Sequence, residues 1–271
     1  MEGRRFADTG KEILVRPQSE IKVTVRQTVI GGPRPCICLP LVASDRSSLC
    51  GQTDALLPLA PDLFEWRADG YAGVNDAGDC LDTLAALRAA IGDIPLIFTC
   101  RMAAEGGLQP LTPEIRLDRA TEAIRSGLVD IVDVELANDA AFIDAVAAAA
   151  RRHGIRLILS HHDFTATPAA DVILEKLAAA QQKGADIAKA AFMPAGYRDV
   201  LTLLTATLAA RSGIIRIPMI TIAMGDEGRF SRLAGGLFGA DITFAAGTAA
   251  SAPGQLPIGE LRRAMDALYG G

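Results

Sequence analysis

Lysine is scarce in this chain: five residues, at positions 11, 22, 176, 183 and 189, against 22 arginines. Only Lys189 lies in an apolar run, Ala185–Phe192 (ADIAKAAF), where Asp186 is the one other charge. An amine in such a run can pair with a carboxylate from a neighbouring strand. Alternatively, it can serve as a desolvated nucleophile whose depressed pKa suits imine formation with a ketone. Lys176 and Lys183 fall on a helical stretch, Lys11 in the N-terminal tail and Lys22 on the polar face of a short strand, so none competes. His161 and His162 are adjacent in Arg156–Phe164 (RLILSHHDF). Neighbouring strand residues point to opposite faces, so one histidine can enter a cavity while the other packs toward helices. A histidine titrates near neutrality and can act first as base and then as acid.

Further ionisable residues sit at the C-terminal ends of apolar runs. Glu65, Arg67 and Asp69 are spaced by two and share one strand face, as do Asp133 and Glu135; Arg101 ends a third run. Charges inside strands are costly unless paired, so five runs carrying them at the same end point to a charged cavity. Glu105, in the loop Met102–Gln109, can reach back over such a cavity, or it is a solvated loop residue. Arg232, after the seventh run, is expected at a helix start, where free N–H groups and a guanidinium favour an anion; a surface salt bridge is the other reading. Ala249–Gln255 is a small-residue loop with Gly247 and Gly254 as candidate hinges, suited to closing over a ligand. With three histidines, no HxH and no HExxH, no metal site is expected.

Eight apolar runs must position these residues: Cys36–Ala43, Leu63–Asp69, Pro95–Arg101, Val129–Leu136, Arg156–Phe164, Ala185–Phe192, Ile217–Met224 and Ile242–Ala246. Helix-like stretches such as Ala140–His153 and Pro168–Lys183 separate them, with start signals at Thr112-Pro113 and Thr167-Pro168 and a stop at His153-Gly154. Strand and helix alternating eight times predicts an α/β fold, the parallel (β/α)8 TIM barrel. An open doubly wound sheet is the competitor, but no GxGxxG follows the first run. Ile21–Val25 and Gln27–Ile30 read as an N-terminal β-hairpin closing the barrel bottom. Residues 1–20 are expected to be a flexible extension and 21–271 a single catalytic domain.

The chain has 271 residues, half of them hydrophobic and 22% charged, which suits one barrel or two small domains. A net charge of −5 argues against nucleic-acid binding but leaves room for a local arginine site for a small anion. No apolar run reaches 18 residues and the N-terminus has no signal-peptide core, so neither membrane association nor export is expected. Cysteines 36, 38, 50, 80 and 100 form no metal-like framework and read as reduced thiols of a cytoplasmic protein.

Six motifs in register make the chain resemble type I 3-dehydroquinate dehydratase, the Schiff-base dehydratase of the shikimate pathway. They are Glu65-Trp66-Arg67-Ala68-Asp69; Phe98-Thr99-Cys100-Arg101 with Glu105-Gly106-Gly107; Ser160-His161-His162-Asp163-Phe164; Ala185-Asp186-Ile187-Ala188-Lys189; Ser231-Arg232-Leu233-Ala234-Gly235; and Ala250-Ser251-Ala252-Pro253-Gly254-Gln255. The resemblance runs from about residue 21 to 268. It implies a homodimeric barrel without metal or organic cofactor, acting on 3-dehydroquinate. By the same resemblance Lys189 forms an imine with the C3 ketone, and His162 moves protons at C2 and at the leaving C1 hydroxyl. Glu105 orients and tunes that histidine. Arg232, with Ser251 and Gln255, holds the substrate carboxylate, and Glu65, Arg67 and Arg101 hold the ring hydroxyls. The chain departs from the family pattern at Pro40, where some members carry Ser, and in the acidic segment Gly225-Asp226-Glu227-Gly228.

Two rival readings have distinct signatures. A class I aldolase also uses a sixth-strand lysine, and one acting on sugar phosphates would hold phosphate after strands seven and eight. Such a site does not require Glu65, Arg67, Arg101 and a His-Asp-Phe motif together. A non-catalytic barrel serving as a binding module would not be expected to keep Lys189, His162, Glu105 and Arg232.

Overall fold

The computed structural model describes residues 16–247 and 251–270. Eight parallel strands lie side by side: β3 (Cys36–Leu41), β4 (Leu63–Arg67), β5 (Leu96–Thr99), β6 (Ile131–Glu135), β7 (Arg156–Asp163), β8 (Ile187–Phe192), β9 (Met219–Ala223) and β10 (Ile242–Phe244). β10 pairs with β3, so the sheet curls round on itself. The remaining seam is bridged by Asp241, whose N–H donates to the Met219 carbonyl at 2.7 Å and whose Oδ2 accepts the Met219 N–H at 2.9 Å. Every strand falls inside one of the eight apolar runs, and the architecture is the expected (β/α)8 barrel.

The helices between strands are α1 (Arg46–Leu56), α2 (Ala77–Ile91), α3 (Pro113–Ser126), α4 (Ala140–His153), α5 (Ala170–Gln182), α6 (Tyr197–Ser212), α7 (Arg229–Ala234) and α8 (Ile258–Tyr269). Several start where a short polar side chain satisfies a free N–H: Asp45, Asp76, Thr112 and Asp139 accept from Ser48, Asp79, Ile115 and Phe142. Thr112-Pro113 and His153-Gly154 bound their helices as expected, Gly154 adopting the left-handed conformation. Thr167-Pro168 does not start α5. Thr167 Oγ1 donates to the Met193 carbonyl at 3.1 Å, and the helix begins at Ala170 without a side-chain cap.

Strand alternation sorts the core into two sets. Outward residues such as Leu39, Phe64, Trp66, Phe98, Val132, Leu159 and Ala190 pack beneath the helices. Inward residues fill the barrel in layers drawn from alternate strands. The lowest layer is Leu63, Ile131, Ile187 and Ile242; the next is Cys38, Ile97, Ile158 and Ile220, all essentially inaccessible to solvent. Two positions further along β4, β6, β8 and β10 stand Glu65, Asp133, Lys189 and Phe244. The layer that begins the catalytic end therefore exchanges three aliphatic side chains for charges.

The hairpin β1 (Val23–Val25) and β2 (Thr28–Ile30) pairs antiparallel and packs Val23, Val25 and Ile30 onto the lower interior, closing the bottom. The extension expected over residues 1–20 is anchored from residue 16. Arg16 is 2% exposed and donates to Asp241 Oδ1 (2.6 Å) and to the carbonyls of Gly32, Gly236 and Ala240 (2.6, 3.0 and 3.0 Å). It is held there because Asp241, buried at the β9–β10 seam, needs cationic partners; Arg211 supplies the second. Residues 1–15 lie outside the described residues.

Candidate active site

At the C-terminal end of the barrel a cavity is lined by Glu65, Arg67, Arg101, Glu105, His162, Lys189, Arg232, Ser251 and Gln255. Pro40, Phe164, Ala191, Ile222, Met224, Phe244 and Ala252 complete its wall. The nine residues to which the resemblance gives a role thus meet around one space. They come from β4, β7 and β8, from the end of β5, from α7 and from two loops, so only closure of the barrel unites them.

Lys189 lies near the floor, 5% exposed. Its Nζ donates to Asp133 Oδ2 at 2.7 Å, lies 3.7 Å from Glu65 Oε1 and sits 4.8 Å from the centre of the Phe244 ring. Lys189 is thus paired with a carboxylate from a neighbouring strand, one of the two sequence readings, and its side chain also lines the cavity. Asp133 is in turn gripped by Arg101, which donates to both its oxygens (3.1 and 2.9 Å), to Glu135 (2.8 Å) and to Ser160 Oγ (2.7 Å). Burial works to raise the Asp133 carboxyl, but the Arg101 and Lys189 cations outweigh it and hold it well below the usual carboxylate range. Asp133 therefore acts as a fixed negative charge under the lysine.

Glu105 reaches the site on a single turn, Ala103–Glu105, after β5. Gly107 follows because the loop runs back against its own strand end: a Cβ there would lie 2.3 Å from the Arg101 carbonyl. Glu105 Oε2 accepts the His162 N–H at 2.8 Å and lies 3.0 Å from its Nδ1. Burial, with Glu135 adding to it, pushes the Glu105 carboxyl up to about 7. Burial, helped by Arg101 and Lys189, holds the His162 imidazolium well below its ordinary range. With Nδ1 engaged by Glu105, the unprotonated nitrogen available to a ligand is Nε2.

The two histidines separate as expected. His162 lines the cavity; His161 packs 5.8 Å from the Phe192 ring and does not line it, although its Nδ1 comes within 3.7 Å of Glu105 Oε1. Arg67 is a two-pronged partner of Asp69, at 2.8 Å on each oxygen, and Asp69 also accepts the N–H groups of Arg101 and Leu108. Asp69 is thus the brace that joins the β4 and β5 loops.

Arg232 is 4% exposed and donates to the Pro253 carbonyl at 3.0 Å, while its Nε has no partner and no carboxylate pairs with it among the described residues. Burial pushes this guanidinium down to about 10, still cationic at neutral pH. The expected helix-start setting is not observed. α7 is six residues long and Arg232 lies in its last turn, so an anion here would meet the side chain rather than a helix N-terminus. Ser251 and Gln255 hydrogen-bond each other, Ser251 N–H to Gln255 Oε1 at 2.8 Å and Gln255 Nε2 to Ser251 Oγ at 3.0 Å. Gly254, at φ +78°, brings this loop so close to Gly225 that a Cβ would lie 1.9 Å from the Gly225 carbonyl oxygen. Residues 248–250 of the expected closing loop are outside the described residues.

Asp133, Phe244 and Ser160 have contacts in or beneath the site that gave them no assigned role in the sequence. The available signal was the two-residue spacing: Asp133 precedes Glu135 as Glu65 precedes Arg67. Of the two departures noted, Pro40 lines the cavity, whereas Asp226 pairs with Arg229 on the exterior. Among the described residues no group of three or more His, Cys, Asp or Glu side chains is arranged to hold a metal ion, and no helix is long and apolar enough to cross a membrane.

Residues 37–271 match the type I 3-dehydroquinase family. A curated relative, 3-dehydroquinate dehydratase from Geobacillus thermodenitrificans, is 42% identical over 247 residues, covering 91% of this chain and 95% of the relative. Among solved structures, 3-dehydroquinate dehydratase from Geobacillus kaustophilus superposes with a TM-score of 0.90 at 41% identity, covering 92% of this chain and 97% of that one. The type I enzyme from Clostridium difficile, solved with covalent modified comenic acid, superposes with a TM-score of 0.89 at 36% identity, over 92% and 98% of the two chains.

Proposed function

The chain belongs to the type I 3-dehydroquinase family, whose members are hydro-lyases, and we propose that it converts 3-dehydroquinate to 3-dehydroshikimate through an imine on Lys189. One observation carries the reading: a lysine borne by a barrel strand faces the same cavity as a histidine that burial keeps neutral and Glu105 orients. That the Clostridium difficile relative was solved with covalent modified comenic acid is in keeping with covalent chemistry in the family.

In this mechanism the deprotonated Lys189 amine adds to the C3 ketone, and water leaves as the imine forms. The cationic nitrogen is an electron sink that acidifies C2. His162 Nε2 takes the C2 proton, and the electron pair moves toward nitrogen as an enamine. The pair then returns to expel the C1 hydroxyl, which departs as water with the proton from His162. Hydrolysis of the imine releases the enone and restores Lys189. Asp133, held ionised by Arg101, is a poor proton acceptor and stabilises the positive charge on nitrogen throughout.

Arg232 has the free charge and unpaired Nε that a carboxylate would satisfy, with Ser251 and Gln255 beside it. Glu65 and Arg67 border the rest of the cavity and suit ring hydroxyls. Arg101 borders it too, but its donors are largely committed to Asp133, Glu135 and Ser160, so its main effect on substrate is through Asp133. A phosphorylated aldolase substrate is disfavoured, because Arg232 lies in the last turn of α7 and not at its start. Supplied with 3-dehydroquinate, the protein is expected to generate conjugated-enone absorbance and Lys189→Ala to generate none; equal rates in both would refute the reading.

Homodimerisation, the other expectation drawn from the resemblance, is supported by an apolar face on α6 and α7. Tyr197, Leu201 and Leu208 share one side of α6 and are 71%, 59% and 42% exposed, and Phe230 is 50% exposed. Sedimentation of the protein and of Leu201→Asp tests it, with a dimer expected for the first and a monomer for the second.

A further inference from the structure

We infer that Phe244, through the face of its ring, stabilises the iminium nitrogen formed on Lys189 more than it stabilises the free ammonium. This rests on the imine reading above and adds a residue that touches the reacting atom.

Four side chains from alternate strands surround the reaction centre at one level. Three carry charge: Glu65, Asp133 and Lys189. The fourth, from the strand that completes the barrel, is an aromatic ring 5% exposed, with its centre 4.8 Å from Lys189 Nζ. A cation within about 6 Å of a ring face is attracted to the ring's negative quadrupole, most strongly where water is excluded. The attraction differs in kind from that of Asp133 at 2.7 Å. A carboxylate accepts a hydrogen bond and favours an N–H-bearing cation. A ring face takes no proton, and its pull counts for more on an iminium, whose single N–H leaves it fewer hydrogen bonds than the ammonium makes with Asp133 and Glu65. A third carboxylate at this position would hold the resting ammonium more tightly and hinder the deprotonation that attack requires. An aliphatic side chain, which fills the same strand two residues earlier at Ile242, would give the cation nothing. The aromatic ring supports the charge with less hold on the proton than another carboxylate would have.

Phe244→Leu alters packing and quadrupole together, so the test uses the full-length chain with residue 244 replaced by phenylalanine carrying one, two or three ring fluorines. Fluorination keeps the ring's shape while draining its face of negative potential. The readout is the rate at which borohydride traps the 3-dehydroquinate adduct at low substrate, located by peptide mass, together with kcat/KM. The expected result is a stepwise fall in trapping with each fluorine, about 2- to 30-fold across the series, with the adduct on Lys189 in every case. A trapping rate that stays flat across the series, with the adduct still on Lys189, overturns the role of the ring and leaves the imine reading standing. Absence of any adduct even with the natural ring overturns both.

Discussion

Glu105 holds His162 by two atoms at once: one carboxylate oxygen, Oε2, accepts the His162 backbone N–H at 2.8 Å and lies 3.0 Å from the ring Nδ1. The loop after β5 is thereby fastened to the end of β7, and the imidazole has one rotational setting.

That geometry has a measurable cost in stability. The Glu105 carboxyl is raised from 4.5 to about 7, chiefly by burial. Between those values the folded chain keeps a proton that the unfolded chain releases, so this group's contribution to stability falls as pH rises from 4.5 through 7. Glu105→Gln cannot ionise. The Tm of the variant relative to the parent is therefore expected to be more favourable at pH 8 than at pH 5, even as activity drops. Differences of equal size at both pH values would contradict the burial-driven shift.

Arg232→Lys should not restore what Arg232→Ala loses. A guanidinium offers a carboxylate two parallel bonds, where an ammonium offers a point charge. Loss of one charge-assisted contact should lower kcat/KM by about 30- to 1000-fold, the equivalent of roughly 2–4 kcal/mol. The loss should shrink sharply with an analogue whose carboxylate is made neutral. Equal losses on both substrates would mean that Arg232 acts through its bond to Pro253 and the loop it supports.

Arg101 and Arg67 should separate in stability. Arg101→Met leaves Asp133, Glu135 and Ser160 without the guanidinium that joins them, and breaking a buried pair costs about 3–5 kcal/mol. Arg67→Met removes a partner of Asp69, which keeps two backbone N–H donors. Denaturant unfolding of the two variants is expected to show the larger loss for Arg101; the reverse order would contradict the account of Asp133 as a fixed charge.

The barrel was legible because its strands keep a strict alternation: apolar residues on both faces low down, then charges on the inward face alone. Glu65, Asp133 and Lys189 therefore advertised a cavity before any coordinates. Loop residues were legible only through the resemblance, since nothing in Met102–Gln109 dictates that Glu105 turns inward. Two features escaped for a common reason. Arg16 and Phe244 look ordinary in sequence, an arginine in a polar tail and a phenylalanine in a core strand. Their roles come from the closure of β10 against β3 and β9, which brings Asp241 and Lys189 to them from distant parts of the chain. Arg232 was assigned to the right space by the wrong local setting, because the length of α7 is not encoded by any cap signal.

The proposed mechanism turns on attack of Lys189 on the substrate ketone. Borohydride added during turnover of 3-dehydroquinate, followed by intact mass and peptide mapping, tests it directly. One reduced substrate adduct per chain is expected, located on Lys189 and absent from Lys189→Ala. An adduct on Lys176 or Lys183, or full turnover with none trapped on Lys189, would contradict it.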